Sequence, residues 1–161
     1  MLTLETSTAW GGFIAVESPT AVGATTTTEI DLFNPGGCVA RVDTSAAGQA
    51  CAKAYNELQE CEFASCVPYC PVASQSDQAG EDALLGSGTS NGCLGDADTA
   101  ICATYVTAVQ TACATESNDA GTGAFDKCEN LISDASTATG ALPLAFEQYL
   151  GLLCGGYDAG L

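Results

Sequence analysis

A chain of 161 residues suits one domain, and ten cysteines, no histidine and a formal charge of −17 narrow what that domain does. Twenty carboxylates against only Arg41, Lys53 and Lys127 cannot neutralise a phosphate backbone, which excludes nucleic acid as a partner and disfavours anionic membranes. Without histidine the commonest general base and metal ligand are both missing, so no enzyme is expected.

The arm comes first. Residues 1–37 hold no cysteine, lysine or arginine. Leu2 and Leu4 alternate with threonine and glutamate, Phe13 to Val16 follow a Gly-Gly break, and Thr26, Thr28, Ile30 and Leu32 share one face of an extended segment. A period of two with β-branched enrichment predicts two or three strands, closed by Pro35-Gly36-Gly37. So small a hairpin is marginal by itself, and it must lie on this chain's helices or on a neighbouring subunit.

Residues 38–161 form the expected cysteine-rich helical domain. A first helix is capped near Asp43, Thr44 or Ser45 and runs through Gln59 or beyond, with Cys51, Ala54, Leu58 and Cys61 on one stripe, Tyr55 beside it, and Lys53, Glu57 and Glu60 outward. Pro68 and Pro71 stop helix formation around Cys66 and Cys70. Residues 74–92, rich in serine, glycine and acids with only Leu84 and Leu85 as anchors, read as a long surface loop. A second helix starts at Asp96 or Asp98 and buries Ile101, Tyr105, Ala108, Val109 and Ala112. A third, near 124–135, buries Phe125, Cys128, Leu131 and Ile132. The fourth opens at Pro143, presents Leu142, Phe146, Tyr149, Leu150 and Leu153, and ends at Gly155-Gly156.

Much of the apolar fraction is alanine and cysteine, so the core is poor in buried area and covalent staples are expected to make up the difference. An even count of cysteines reads as a disulfide framework, which persists in an oxidising compartment. Zinc sites favour cysteine pairs two to four apart, and only Cys61, Cys66 and Cys70 come close, with no second cluster. No metal or cofactor is expected. All ten cysteines, Cys38, Cys51, Cys61, Cys66, Cys70, Cys93, Cys102, Cys113, Cys128 and Cys154, are assigned to disulfides. The first two helices carry cysteines with matching separations, Cys51 to Cys61 and Cys102 to Cys113. Laid antiparallel, they predict Cys51–Cys113 and Cys61–Cys102. Cys128 is placed to meet Cys154, leaving Cys38, Cys66, Cys70 and Cys93 to pair among themselves.

The Cys51-x9-Cys61 and Cys102-x10-Cys113 spacings resemble the twin CX9C helical hairpins of the mitochondrial intermembrane space. That resemblance implies an outer and an inner disulfide between antiparallel helices. The second gap is one residue longer, and the connection between the helices is much longer than in that family.

The fold class expected is therefore α+β, mainly α: a disulfide-stapled antiparallel helical bundle preceded by a β-strand arm. No stretch approaches the roughly 20 apolar residues of a membrane span. Nor does a basic region followed by an apolar one open the chain, so the numbering is expected to begin on a processed form. Carboxylate pairs arise by chance among twenty acids, no CxxC or phosphate-binding loop occurs, and Lys53 and Lys127 fall on solvated faces. The expected function is an extracellular or cell-surface structural subunit, of filament or surface-layer type, partnered by copies of itself, with divalent cations as candidate bridges between acidic surfaces. The alternative is a monomeric secreted binding or effector module for a small apolar ligand or a cationic partner, with Tyr105, Phe146, Tyr149 and Leu150 as the pocket.

Overall fold

The computed structural model describes residues 2–3, 13–74, 76–86, 91–117 and 123–128. They form a mainly helical protein with one small sheet, cross-linked by four disulfides among the described residues. Three strands, β1 (Leu2–Thr3), β2 (Phe13–Pro19) and β3 (Thr27–Phe33), lie in that order. β2 and β3 are an antiparallel pair with Val16 opposite Ile30, and β1 runs parallel to β2. The pleat turns Ile14, Val16 and Ile30 into the core and leaves Glu17 and Glu29 in solvent. The strands join through a loop closed by Thr20 N–H donating to Thr26 O at 3.0 Å, with Gly23 at φ 77° in its turn. The sheet is tied to the helical part through Ser18, fully buried, whose Oγ accepts from Val72 N at 2.8 Å.

The Pro35-Gly36-Gly37 stretch does not break the chain; it opens helix α1 (Pro35–Val42). Asn34 Oδ1 accepts from Gly37 N at 3.0 Å, and proline sits in the first turn, where its fixed φ suits the helix and its missing N–H is no loss. Gly36 serves packing. A Cβ on Gly36 would come within 2.6 Å of Asn56 Oδ1 and 2.7 Å of Ala52 O, so α1 approaches the next helix backbone to backbone. Gly36→Ala is expected to cost about 1–3 kcal/mol by overpacking. Adding Asn56→Ala should not restore it, because the Ala52 carbonyl is backbone and stays; urea midpoints of the single and double variants check this.

Helix α2 (Ala46–Cys66) is the spine, capped by Ser45, whose Oγ accepts from Gly48 N at 3.2 Å. It buries Cys51, Ala54, Leu58 and Phe63, with Cys61 and Tyr55 partly covered, while Lys53 and Glu57 make a surface ion pair at 3.2 Å. Such a pair contributes little.

Two expectations for the middle of the chain are corrected. Residues 74–92 are not one loop: Asp77 caps helix α3 (Gln78–Leu85), accepting from Gly80 N at 3.1 Å and Ala73 N at 2.9 Å. Leu84, buried to 1 % exposure, is the anchor that docks it. The second long helix is instead two, α4 (Gly92–Thr99) and α5 (Ala103–Ala112), separated at Ala100 to Cys102. That break brings Cys102 to full burial and turns Ile101 (70 % exposed) and Tyr105 (40 %) outward, along with Ala108; Val109 alone of the expected face is fully buried, with Ala112 partly covered.

Past α5, Phe125 N–H donates to Glu116 O at 3.0 Å, and residues 124–128 are helical, burying Ala124 and Cys128. The remainder of the third expected helix, with Leu131 and Ile132, and the whole of the fourth, with Leu142, Pro143 and Leu153, lie outside the described residues.

Candidate functional site

The cysteines set the frame for the site. Cys51–Cys113 and Cys61–Cys102, with Cα–Cα distances of 4.6 and 5.9 Å, hold α2 against both ends of α5. Cys66–Cys93, at 5.7 Å, ties the end of α2 to the start of α4. Cys128 does not meet Cys154. It pairs with Cys38 at a Cα–Cα distance of 5.9 Å: α1 presents Cys38 to the interior, and the hydrogen bond from Phe125 N–H to Glu116 O holds the segment that carries Cys128 beside the end of α5. Cys70 is partly buried with no disulfide partner among the described residues, and Cys154 lies outside them.

Between α2, α4, α5 and the 124–128 segment is a cavity of about 500 Å³, lined by Tyr55, Leu58 and Glu62 from α2, Asp98 from α4, Val106, Val109 and Gln110 from α5, and Phe125. The Tyr55 and Phe125 rings meet at 5.5 Å between centroids with a 53° tilt and form one wall. Glu62 belongs to a helical stripe, since positions 51, 55, 58 and 62 alternate steps of four and three. It therefore points inward with Cys51, Tyr55 and Leu58.

Inside, Glu62 faces Asp98. Burial, then a hydrogen bond to Asp98, then the Asp98 charge push the Glu62 carboxyl up to about 9, against an ordinary 4.5. Asp98 Oδ1 is buried and receives no N–H or hydroxyl. Two carboxyl groups, one from each helix, thus line the same cavity. No basic side chain lines the cavity among the described residues, and its hydroxyl at Ser117 donates outward to Asp126 at 2.9 Å.

A second carboxyl contact lies at the opposite end of α2. There the Ser45 backbone N–H, at 2.7 Å, and then the Ser45 hydroxyl, at 3.0 Å, hold Asp43 below the ordinary carboxylate range, and Glu116 adds a further hydrogen bond. Glu116 is itself 7 % exposed and accepts from Thr115 Oγ1 at 3.1 Å.

Composition gave no hint of this cavity. Of the pocket residues expected, Tyr105 is exposed and outside the lining, while Phe146, Tyr149 and Leu150 lie outside the described residues. The signal that marks the site is an acid on an apolar helical stripe. Asp98, read as a helix cap, is instead turned toward α2. Among the described residues no group of three or more potential metal ligands converges, and no helix is long and apolar enough to cross a membrane. No family model matches the chain, and no curated protein or solved structure does so either.

Proposed function

We propose that this chain is an exported, non-catalytic structural protein that assembles with copies of itself in an oxidising, extracellular setting. The observation that carries the reading is that three disulfides fasten one 21-residue helix, α2, to α4 and both ends of α5. Cross-linking at that density suits a rigid body that must keep its shape outside the reducing cytosol. In this reading the stapled helices of 38–161 form an antiparallel bundle, and the strands of 1–37 are the arm that meets a neighbour, ending in the first turn of α1. β3 pairs only with β2 among the described residues, and an open strand edge is a template for addition of another strand.

Self-assembly of bodies carrying −17 must overcome their repulsion, so it is expected to strengthen with salt and with divalent cations bridging acidic faces. Sedimentation velocity across a salt series, with and without a chelator, tests this: assemblies should grow with salt and shrink on chelation. Full-length protein that remains monomeric at high concentration in high salt and calcium defeats the reading.

The cavity favours a second reading, a monomeric binding module. Its lining mixes the apolar Leu58, Val106, Val109 and Phe125 with the polar Glu62, Asp98, Gln110 and Ser117, a combination that suits a small ligand.

A further inference from the structure

We infer that the cavity between α2, α4 and α5 is a binding site for an organic ammonium ion, a primary amine carried on an alkyl or aryl body, whose N–H groups donate to the carboxyls of Glu62 and Asp98. The ligand class rests on the binding-module reading and sharpens it.

Size comes first. At about 500 Å³ and partly open to solvent, the cavity has the volume of a small-molecule pocket, far more than a bare metal ion fills. No third potential metal ligand joins the two carboxyls among the described residues. The walls are also covalently set. Cys51–Cys113 and Cys61–Cys102 fix α5 to α2, Cys66–Cys93 fixes the start of α4 to the end of α2, and Cys38–Cys128 anchors the segment carrying Phe125 to α1. The walls therefore stand in place before a ligand arrives, and binding loses little ordering entropy.

The chemistry of the lining then selects the guest. Leu58, Val106 and Val109 give apolar surface to an alkyl or aryl body, and the rings of Tyr55 and Phe125 add aromatic surface that also attracts a cation. Glu62 and Asp98 supply acceptors, and no lysine or arginine lines the cavity among the described residues to neutralise them. The buried Asp98 Oδ1 has no donor. Burial, and then Asp98, hold the Glu62 carboxyl up at about 9, as befits an acid in a site short of positive charge. A guest that brings a positive charge and several N–H groups meets both needs. A carboxylate or phosphate guest is repelled, and a neutral guest of the same shape leaves the acids without a counter-charge.

The rest of the molecule favours the same sign. A formal charge of −17 raises the local concentration of cations around any cleft. Lys53, on the helix that carries Glu62, is engaged at the surface with Glu57 and is not part of the lining.

The test titrates intact, oxidised full-length protein, near neutral pH and at physiological salt so that diffuse attraction to the surface is screened, with phenylbutylamine, the matching alcohol phenylbutanol and the matching acid phenylbutyrate. Calorimetry gives the affinities, and the methyl NMR signals of Val106 and Val109 report the site. The amine is expected to bind one to one and shift both valines. The alcohol should bind about tenfold to a hundredfold more weakly, since it forgoes the charge-assisted hydrogen bonds, and the acid should not bind. Glu62→Gln with Asp98→Asn, which conserves shape, should weaken the amine by the same factor while the alcohol keeps its affinity, which shows that the cavity is still folded. Glu29→Gln, on the exposed face of β3, should leave the amine unaffected. Equal binding of amine and alcohol, or an amine affinity unchanged in the double variant, overturns the ammonium site and leaves a binding module standing. If no probe shifts Val106 or Val109, the ammonium site and the binding-module reading fall together.

Discussion

Replacing both members of one staple, Cys51→Ser with Cys113→Ser, is expected to cost about 3–4 kcal/mol, and full reduction is expected to unfold the protein at neutral pH. The two cysteines are 62 residues apart in sequence. The effective loop is shorter, because Cys61–Cys102 already joins the chain inside it. What remains is ten residues on one side and eleven on the other, a loop of roughly twenty, for which chain entropy gives about 3 kcal/mol. Burial adds to it, since Cys51 and Cys113 are 0 % and 3 % exposed and serine would leave hydroxyls there.

Domains of this size carry a net stability of about 5–15 kcal/mol, so one staple is a large share of it. Urea unfolding of the double variant under non-reducing conditions measures the first claim. Far-ultraviolet circular dichroism after complete reduction measures the second. A reduced protein that keeps its helical signal and melts cooperatively would mean that apolar packing, not sulfur, holds the chain together.

The staples between α2 and α5 were readable because helix periodicity and matched cysteine separations are local quantities. An offset of eleven residues brings the second cysteine to within about 20° of the first around the axis, and one of ten leaves it about 80° away, at the edge of the same face. The pairing of Cys38 with Cys128 was not readable, because it joins positions 90 apart and depends on how a turn at Glu116 redirects the chain. The strands at Phe13–Pro19 and Thr27–Phe33 followed from alternation. Helix α1 was masked by its own composition: Pro-Gly-Gly looks like punctuation unless Asn34 is recognised as a cap and Gly36 as a site of close backbone approach.

Asp98 posed the reverse problem. An acid at a helix end is normally a cap, but Asp98 lies in the last turn of α4 and lines the cavity with Glu62. Glu62 carried a signal that went unread. An ionisable residue in step with Cys51, Tyr55 and Leu58 either costs desolvation or has a partner, and here it has both.

Leu84→Ala is expected to release α3 from the body while the rest of the molecule stays folded, at a local cost of about 3 kcal/mol. Leu84 is 1 % exposed and is the only side chain that α3 buries. An eight-residue helix is far too short to persist on its own, so its order depends on that contact and on the Asp77 cap. Global unfolding should not follow. The segment is bounded by the Cys66–Cys93 disulfide, and Leu84 is the one side chain by which α3 enters the core. Limited proteolysis under non-reducing conditions should therefore cut the variant within 78–85 while the main thermal transition moves little. Leu84→Met, which nearly conserves volume, should cost less than about 1.5 kcal/mol and resist cleavage. If Leu84→Ala instead lowers the global transition by many degrees with no new cleavage, α3 is an integral part of the cooperative core and the docking contact is not separable from it.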